Sequence, residues 1–323
     1  MRAAAGIGVP APPFPHNPRL THYFDSPVRV LIIGCGYVGL PLGVELIRRG
    51  HTVSGLRRSP GAAAILASAG LAPVTADITR RADLARLPPD FDWIVNTVSS
   101  GGGGLGEYQE VYLEGTRNIL HWLASSPPKK YVHVGSTSVY GQTDASQVKE
   151  SSPAEPASET GRILVATEKL LLESVRENHF PAVLLRVAAI YGPDRGHLFL
   201  QYLKDEAKIP GHGARWLNMI HRDDVIGCVI AALESGRPGE IYNAVDDEPV
   251  PQIHFFRWLS ETLGKNMPPF VSEAAAADAK RGVTNKKVLN RKIKMELGCR
   301  FRYPTFRQGC TAEIQRLQDA GLL

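Results

Sequence analysis

The sequence predicts an α/β protein, a doubly wound parallel sheet followed by a smaller mixed C-terminal lobe. Three observations carry that expectation. The β-branched run Val28-Arg29-Val30-Leu31-Ile32-Ile33 is apolar enough for a strand buried on both faces. It ends in glycines and passes into residues 38–49, where apolar side chains recur at helical spacing up to Arg48, Arg49 and a terminating Gly50. The same alternation of strand and helix then continues to about residue 187 before it loosens.

In chain order, residues 51–56 read as a second strand, 62–69 as a helix closed by Gly70, and 73–76 as a third strand. A fourth strand is expected at 91–98, a helix at 108–124, a fifth strand at 130–135, a helix at 164–176 and a sixth strand at 182–187. Beyond Tyr191 come loops around Pro193 and 211–213, one helix near 225–234 and one more strand at 240–245. The implied organisation is a sheet domain over 27–187 to which 221–246 returns, with 188–220 and 247–323 forming the second lobe. Residues 1–26 are too rich in Gly and Pro for a signal peptide and read as a disordered extension.

A chain of 323 residues, 43% hydrophobic and 21% charged, has enough apolar material for a large core. No apolar run approaches the roughly 18 residues needed to span a bilayer. Cys35, Cys228, Cys299 and Cys310 lack metal-site spacing, as do His179, His197, His212 and His221, so neither disulfides nor a metal is expected and the reading is a reduced, cytoplasmic protein. The net charge of +5 is modest, but Lys and Arg crowd between residues 280 and 307. That crowding is either a solvated surface or a field drawing an anionic small-molecule substrate. It carries no aromatic-interleaved recognition motif, which argues against nucleic acid.

Gly34-Cys35-Gly36-Tyr37-Val38-Gly39 matches G-x-G-x-x-G between a strand and a helix, the Rossmann context for a dinucleotide. There the first glycine makes a tight turn, the second admits the pyrophosphate, and the third packs helix on strand. Tyr37 and Val38, at the mouth of the helix, join the glycines as cofactor candidates. Arg57 and Arg58 stand where NAD-selective sites carry a carboxylate, and two guanidiniums suit the 2′-phosphate of NADP, so NADP is favoured over NAD. Asp77 and Ile78 after the third strand are placed beside the adenine, and Asn96, Thr97 and Val98 after the fourth beside the ribose and pyrophosphate.

The order of further motifs resembles the extended short-chain dehydrogenase/reductases, the NAD-dependent epimerase/dehydratase family. These motifs are Gly115-Thr116-Arg117-Asn118-Ile119, Gly135-Ser136-Thr137-Ser138-Val139-Tyr140-Gly141, Leu185-Arg186 through Tyr191-Gly192-Pro193, Ile220-His221-Arg222-Asp223-Asp224-Val225 and Ile241-Tyr242-Asn243-Ala244. The resemblance implies hydride chemistry on a hydroxylated substrate such as a nucleotide sugar, a Tyr-x-x-x-Lys pair, and often a homodimer. Aligned on those motifs, however, the tyrosine falls at Thr160, the lysine at Leu164, and two substrate-side asparagines at Tyr112 and Ala189. This pattern looks most like the YeeZ-like branch. Ser136 remains of the usual set, and Tyr112 and Tyr140 are the phenols that stand as catalytic candidates, because an aliphatic hydroxyl is far too weak an acid to replace tyrosine. Arg162 and His221 are further, weaker candidates for substrate binding and for a base. Two functions follow: an NADP-dependent oxidoreductase or epimerase with another proton donor, or an NADP-binding sensor or scaffold without turnover.

Overall fold

A computed structural model describes residues 27–102, 104–273 and 284–323, so the extension at 1–26 lies outside the described residues. Seven strands form one parallel sheet: β1 (Arg29–Ile33), β2 (Thr52–Arg57), β3 (Ala72–Thr75), β4 (Trp93–Asn96), β5 (Lys130–Ser136), β6 (Ala182–Val187) and β7 (Ile241–Ala244). Their spatial order is β7-β6-β5-β4-β1-β2-β3. The order reverses between β1 and β4, which opens a crevice at the carboxyl ends of those strands.

Burial of alternate side chains on both faces explains why β1 is apolar from Val30 to Ile33. Val30 and Ile32 pack on one face with Leu42 and Leu46 of α1 (Gly39–Arg48) and with Val229 of the later helix Arg222–Ser235. Leu31 and Ile33 pack on the other face with Ile119 and Leu171. Both faces are thus covered by helices, and no position of this strand but the first is exposed. A third cluster, with Tyr191, Phe199, Ile209, Phe255, Phe256 and Phe306, lies beyond the sheet among the short elements that follow β6.

Several boundaries differ from expectation, for local reasons. The 51–56 strand is shifted to Thr52–Arg57 because β2 pairs with β1 from Arg29↔Thr52 onward and with β3 up to Arg57↔Thr75. The 91–98 strand contracts to Trp93–Asn96, since the chain leaves the ladder once Asn96 folds its side chain back on Val98. The helix of 108–124 is longer at its start and not uniform: Leu105–Tyr108 is α-helical, Gln109–Glu114 is a π-helical turn, and Gly115–Trp122 is α-helical again. Such bulges mark functional positions in many proteins, and this one carries Tyr112.

The helix of 164–176 begins five residues earlier and spans α2 (Glu159–Asn178). Its first turn shows no apolar periodicity, but Ser158 caps it by accepting the Gly161 N–H at 3.1 Å. Gly161 is required there, because a Cβ would stand 2.5 Å from Pro156. Glu168 of α2 and Arg186 of β6 form a buried ion pair, with Nε and Nη2 donating to the carboxylate at 2.9 and 2.7 Å. The side chains are only 5% and 6% exposed.

Breaking this pair leaves an uncompensated buried charge. Glu168→Ala should therefore lower unfolding stability by about 3–5 kcal/mol, whereas the double change Glu168→Leu with Arg186→Met should cost less. Urea unfolding of the three proteins tests this, and a double variant at least as unstable as the single one would contradict it.

Candidate active site

A cleft of about 690 Å³ runs along the carboxyl ends of the strands, over the switch point. Its floor is the glycine turn. Gly34 holds φ +87°, and a Cβ there would meet the Val98 backbone at 2.8 Å. The turn is pinned by Gly34 N–H and Cys35 N–H donating to the Leu56 carbonyl at 3.0 and 3.3 Å. Thr97 Oγ1 donates to the Gly34 carbonyl at 2.8 Å. Gly36, by contrast, is exposed, and only the Gly34 carbonyl lies within 4 Å of where its Cβ would stand. A ligand's phosphates can reach the backbone through that opening, so the residues present fit a dinucleotide. Burial pushes the Cys35 thiol up to about 12, which leaves it an inert packing group.

Of the residues read from sequence as cofactor contacts, Gly34, Gly36, Tyr37, Val38, Arg57, Arg58, Asp77, Ile78, Thr97 and Val98 line the cleft. Two do not. Gly39 is buried under the turn, where a Cβ would meet the Gly34 carbonyl at 2.7 Å, so it packs helix on strand. Asn96 is fully buried: its amide donates to the Tyr131 hydroxyl at 3.0 Å and its carbonyl accepts the Val98 N–H at 3.2 Å. It shapes the loop and cannot touch a ligand.

Asp77 is occupied in part, accepting the Thr79 N–H at 3.0 Å and the Thr79 hydroxyl at 2.8 Å. Asn118 holds the same loop, donating to the Ile78 carbonyl at 2.9 Å. That contact accounts for one of the sequence motifs. Arg58 reaches Glu107 at 3.5 Å while 63% exposed, a weak pair.

Ser136 ends β5 on the cleft wall and also caps the turn Thr137–Val139, accepting the Ser138 N–H at 3.1 Å and donating to Ser138 Oγ at 2.9 Å. Tyr112 lines the same cleft from the π-helical turn, and its hydroxyl accepts the Ser100 N–H at 3.4 Å. Tyr140 is a correction. It is fully buried away from the cleft, its hydroxyl donating to Asn243 Oδ1 at 2.8 Å and its ring stacked 4.8 Å from the Arg186 guanidinium. Burial raises its phenol pKa further, so it is a packing residue rather than an acid or base.

Thr160 and Leu164, where the resemblance places the tyrosine and lysine, are not on the cleft wall. Arg162 is exposed and donates to the Ala157 carbonyl at 3.0 Å. His221 is 1% exposed, with Nδ1 accepting the Asp223 N–H at 3.2 Å. Neither reaches the cleft.

Further wall comes from Arg195, Arg215, Trp216, Asn218 and Thr284, which no motif singled out, and from His197 and Lys286, the latter a member of the basic stretch of 280–307. Arg215 and Lys286 are both more buried than charged groups usually are, and burial lowers the pKa of each. Several other members of that basic stretch are ion-paired. Lys292 pairs with Glu240, Lys294 with Asp247 and Arg307 with Glu248. With Arg302 near Asp223, half of the described basic side chains of this stretch are ion-paired, and Lys280 and Arg281 lie outside the described residues. Among the described residues no group of His, Cys, Asp or Glu could hold a metal, and no helix is long and apolar enough to cross a membrane.

A profile of the NAD dependent epimerase/dehydratase family matches residues 30–244, from the first strand to the last strand of the sheet. The chain belongs to that family. It is similar to Protein YeeZ of Escherichia coli K12, 27% identical over 285 residues that cover 85% of this chain and 96% of YeeZ. It is also similar to the dTDP-6-deoxy-L-talose 4-dehydrogenase (NAD(P)(+)) of Kitasatospora kifunensis, 25% identical over 80% of this chain and 86% of that one. Among solved structures, the dTDP-glucose 4,6-dehydratase DesIV of Streptomyces venezuelae, with NAD and TYD bound, superposes with a TM-score of 0.77 at 24% identity, covering 90% of this chain and 97% of its own.

The glycine geometry separates two roles within one motif. Gly39→Ala should lose about 1–3 kcal/mol of stability through overpacking, whereas Gly36→Ala should unfold within about 0.5 kcal/mol of wild type. Thermal unfolding distinguishes them, and equal losses would contradict this division.

Proposed function

We propose that the cleft binds NADP in preference to NAD and that the protein is an oxidoreductase or epimerase acting on a hydroxylated small molecule, a nucleotide sugar being the class its relatives' names suggest. The observation that carries the cofactor reading is the pair Arg57 and Arg58, which lines the cleft at the end of β2 where a ribose-binding carboxylate would otherwise stand. Among the described residues no carboxylate pairs with the Arg57 side chain, so its guanidinium is available for a 2′-phosphate. Gly34, Gly36 and the start of α1 would hold the pyrophosphate, and the loop clamped by Asn118 would flank the adenine. The dinucleotide supplies hydride exchange when bound. Ser136 and Tyr112 stand on the cleft wall as substrate-facing hydroxyls, and the site lacks the usual Tyr/Lys pair on α2. The reading includes a cytoplasmic location and a homodimer, as the family resemblance implies.

A second reading, an NADP-binding sensor or scaffold without turnover, draws on Thr160 and Leu164 standing at the tyrosine and lysine positions. The two readings share cofactor binding and part over hydride transfer. Calorimetric titration with NADP(H) and NAD(H) at fixed moderate salt should show tighter binding of NADP(H). Arg57→Asp should reverse that preference, and Gly36→Ala should abolish binding of both while leaving the fold intact. Unchanged selectivity in Arg57→Asp would show that the 2′-phosphate is held elsewhere. Oxidation of NADPH by any member of a panel of carbonyl compounds would exclude the scaffold reading.

A further inference from the structure

We propose that Lys286 is the proton-exchanging residue of this cleft, presented to the substrate oxygen from the C-terminal part of the chain rather than from α2. The proposal rests on the reading of the cleft as a nicotinamide site. The strand Lys286–Val288 pairs in parallel with Ser146–Val148, with Lys286 opposite Ser146, which carries the lysine to the far wall of the sheet's crevice. Its side chain lines the same cleft as Ser136, Thr137 and Ser138 while the residue is only 5% exposed. Nζ donates to the Tyr140 carbonyl at 2.9 Å and to Thr284 Oγ1 at 2.8 Å. The Tyr140 carbonyl ends the turn that Ser136 caps, so the amine is tied to the element that bears the one surviving family hydroxyl.

Both acceptors are neutral, and among the described residues no carboxylate lies within ion-pair distance of the amine. A neutral amine has two N–H bonds and one lone pair. Those two N–H bonds satisfy the Tyr140 carbonyl and Thr284, which leaves the lone pair for the one remaining direction. An ammonium would keep both bonds and turn a third N–H the same way. Either protonation state is therefore held in one geometry, as proton exchange requires.

The charged and titratable groups on the surrounding elements do not favour the cation. Arg215, beside it on the cleft wall, is a second positive charge. Lys287 turns its ammonium over the Trp216 ring at 4.6 Å. Tyr140 points its phenol to Asn243, Glu150 accepts the Asn243 N–H, Asp144 accepts the Ser146 N–H, and Tyr112 lines the same cleft. Burial lowers the Lys286 pKa to about 8, so a sizeable neutral fraction exists in mildly alkaline solution.

The step balances. The neutral Lys286 amine accepts the proton of a substrate hydroxyl as the hydrogen on the adjacent carbon leaves as hydride to the oxidised nicotinamide, giving a carbonyl and a Lys286 ammonium. In the reducing direction the ammonium returns the proton to the oxygen as hydride arrives.

The test that needs no known substrate is brief acetylation of the full chain with acetic anhydride over a pH series, read lysine by lysine by mass spectrometry. Lys286 should label with a midpoint near 8, whereas surface lysines should follow an ordinary value of about 10.4. Saturating NADPH should slow its labelling at least about tenfold, and Lys286→Gln, which keeps a donor for the Tyr140 carbonyl, should bind NADPH within about threefold of wild type. On any carbonyl compound that wild type reduces, both Lys286→Gln and Lys286→Met should lose about a hundredfold or more in kcat, the range general acid–base groups contribute. A Lys286 that never labels in the folded protein, or labels with an ordinary midpoint, overturns the proposal, as does full turnover by Lys286→Met. Absence of dinucleotide binding by calorimetry beside a low-titrating Lys286 would instead overturn the cofactor reading and leave the amine's titration standing.

Discussion

The buried guanidinium of Arg186 is the interaction on which the cleft depends. It rises from β6, takes both oxygens of Glu168 on α2, and lies against the Tyr140 ring. A cation so deep in the sheet is tolerated only because a carboxylate meets it in bidentate geometry. The consequence spreads outward. Helix α2 is fixed on the sheet and the Tyr140 ring is clamped. The turn between Ser136 and Tyr140 then presents Ser136 to the cleft and a carbonyl to Lys286.

The opposite wall is organised by backbone proximity rather than charge. Gly34 approaches the Val98 backbone so closely that no side chain fits, Gly39 sits under the Gly34 carbonyl, and Thr97 stitches the two loops together. Residues that look like ligand contacts in the sequence thereby divide into two groups. Gly36, Arg57 and Val98 face the cleft, whereas Gly39 and Asn96 hold the loops that do so. Backbone packed at this density leaves little slack, so a methyl group is felt at Gly39 and tolerated at Gly36.

Charge is distributed with the same economy. The basic stretch near the C-terminus reads as a surplus along the chain, yet Lys292, Lys294, Arg302 and Arg307 meet carboxylates on neighbouring elements, and among its described members Lys286 lines the cleft. Arg215 lines the same cleft, and burial lowers the pKa of both side chains.

Read along the chain, residues 28–50 already determine a strand, a glycine turn and a helix, because period-two burial, positive-φ glycine and helix termination are all local effects. The same holds for the sixth strand, found at the residues expected, and for the family motifs, whose order is a linear property. The start of α2 escaped because its first turn has no buried stripe, and the π-helical turn at Gln109–Glu114 escaped because no local pattern distinguishes it from α-helix. Tertiary structure alone decided that Tyr140 faces Asn243 rather than the cleft. It alone decided that Asn96 supports instead of touching, and that one lysine among many is buried on the wall of the cleft that Ser136 lines. Which way a side chain points, and whether its charge finds a partner, depends on other elements of the fold, for Tyr140 and Lys286 more than a hundred residues away, and no local spacing encodes them.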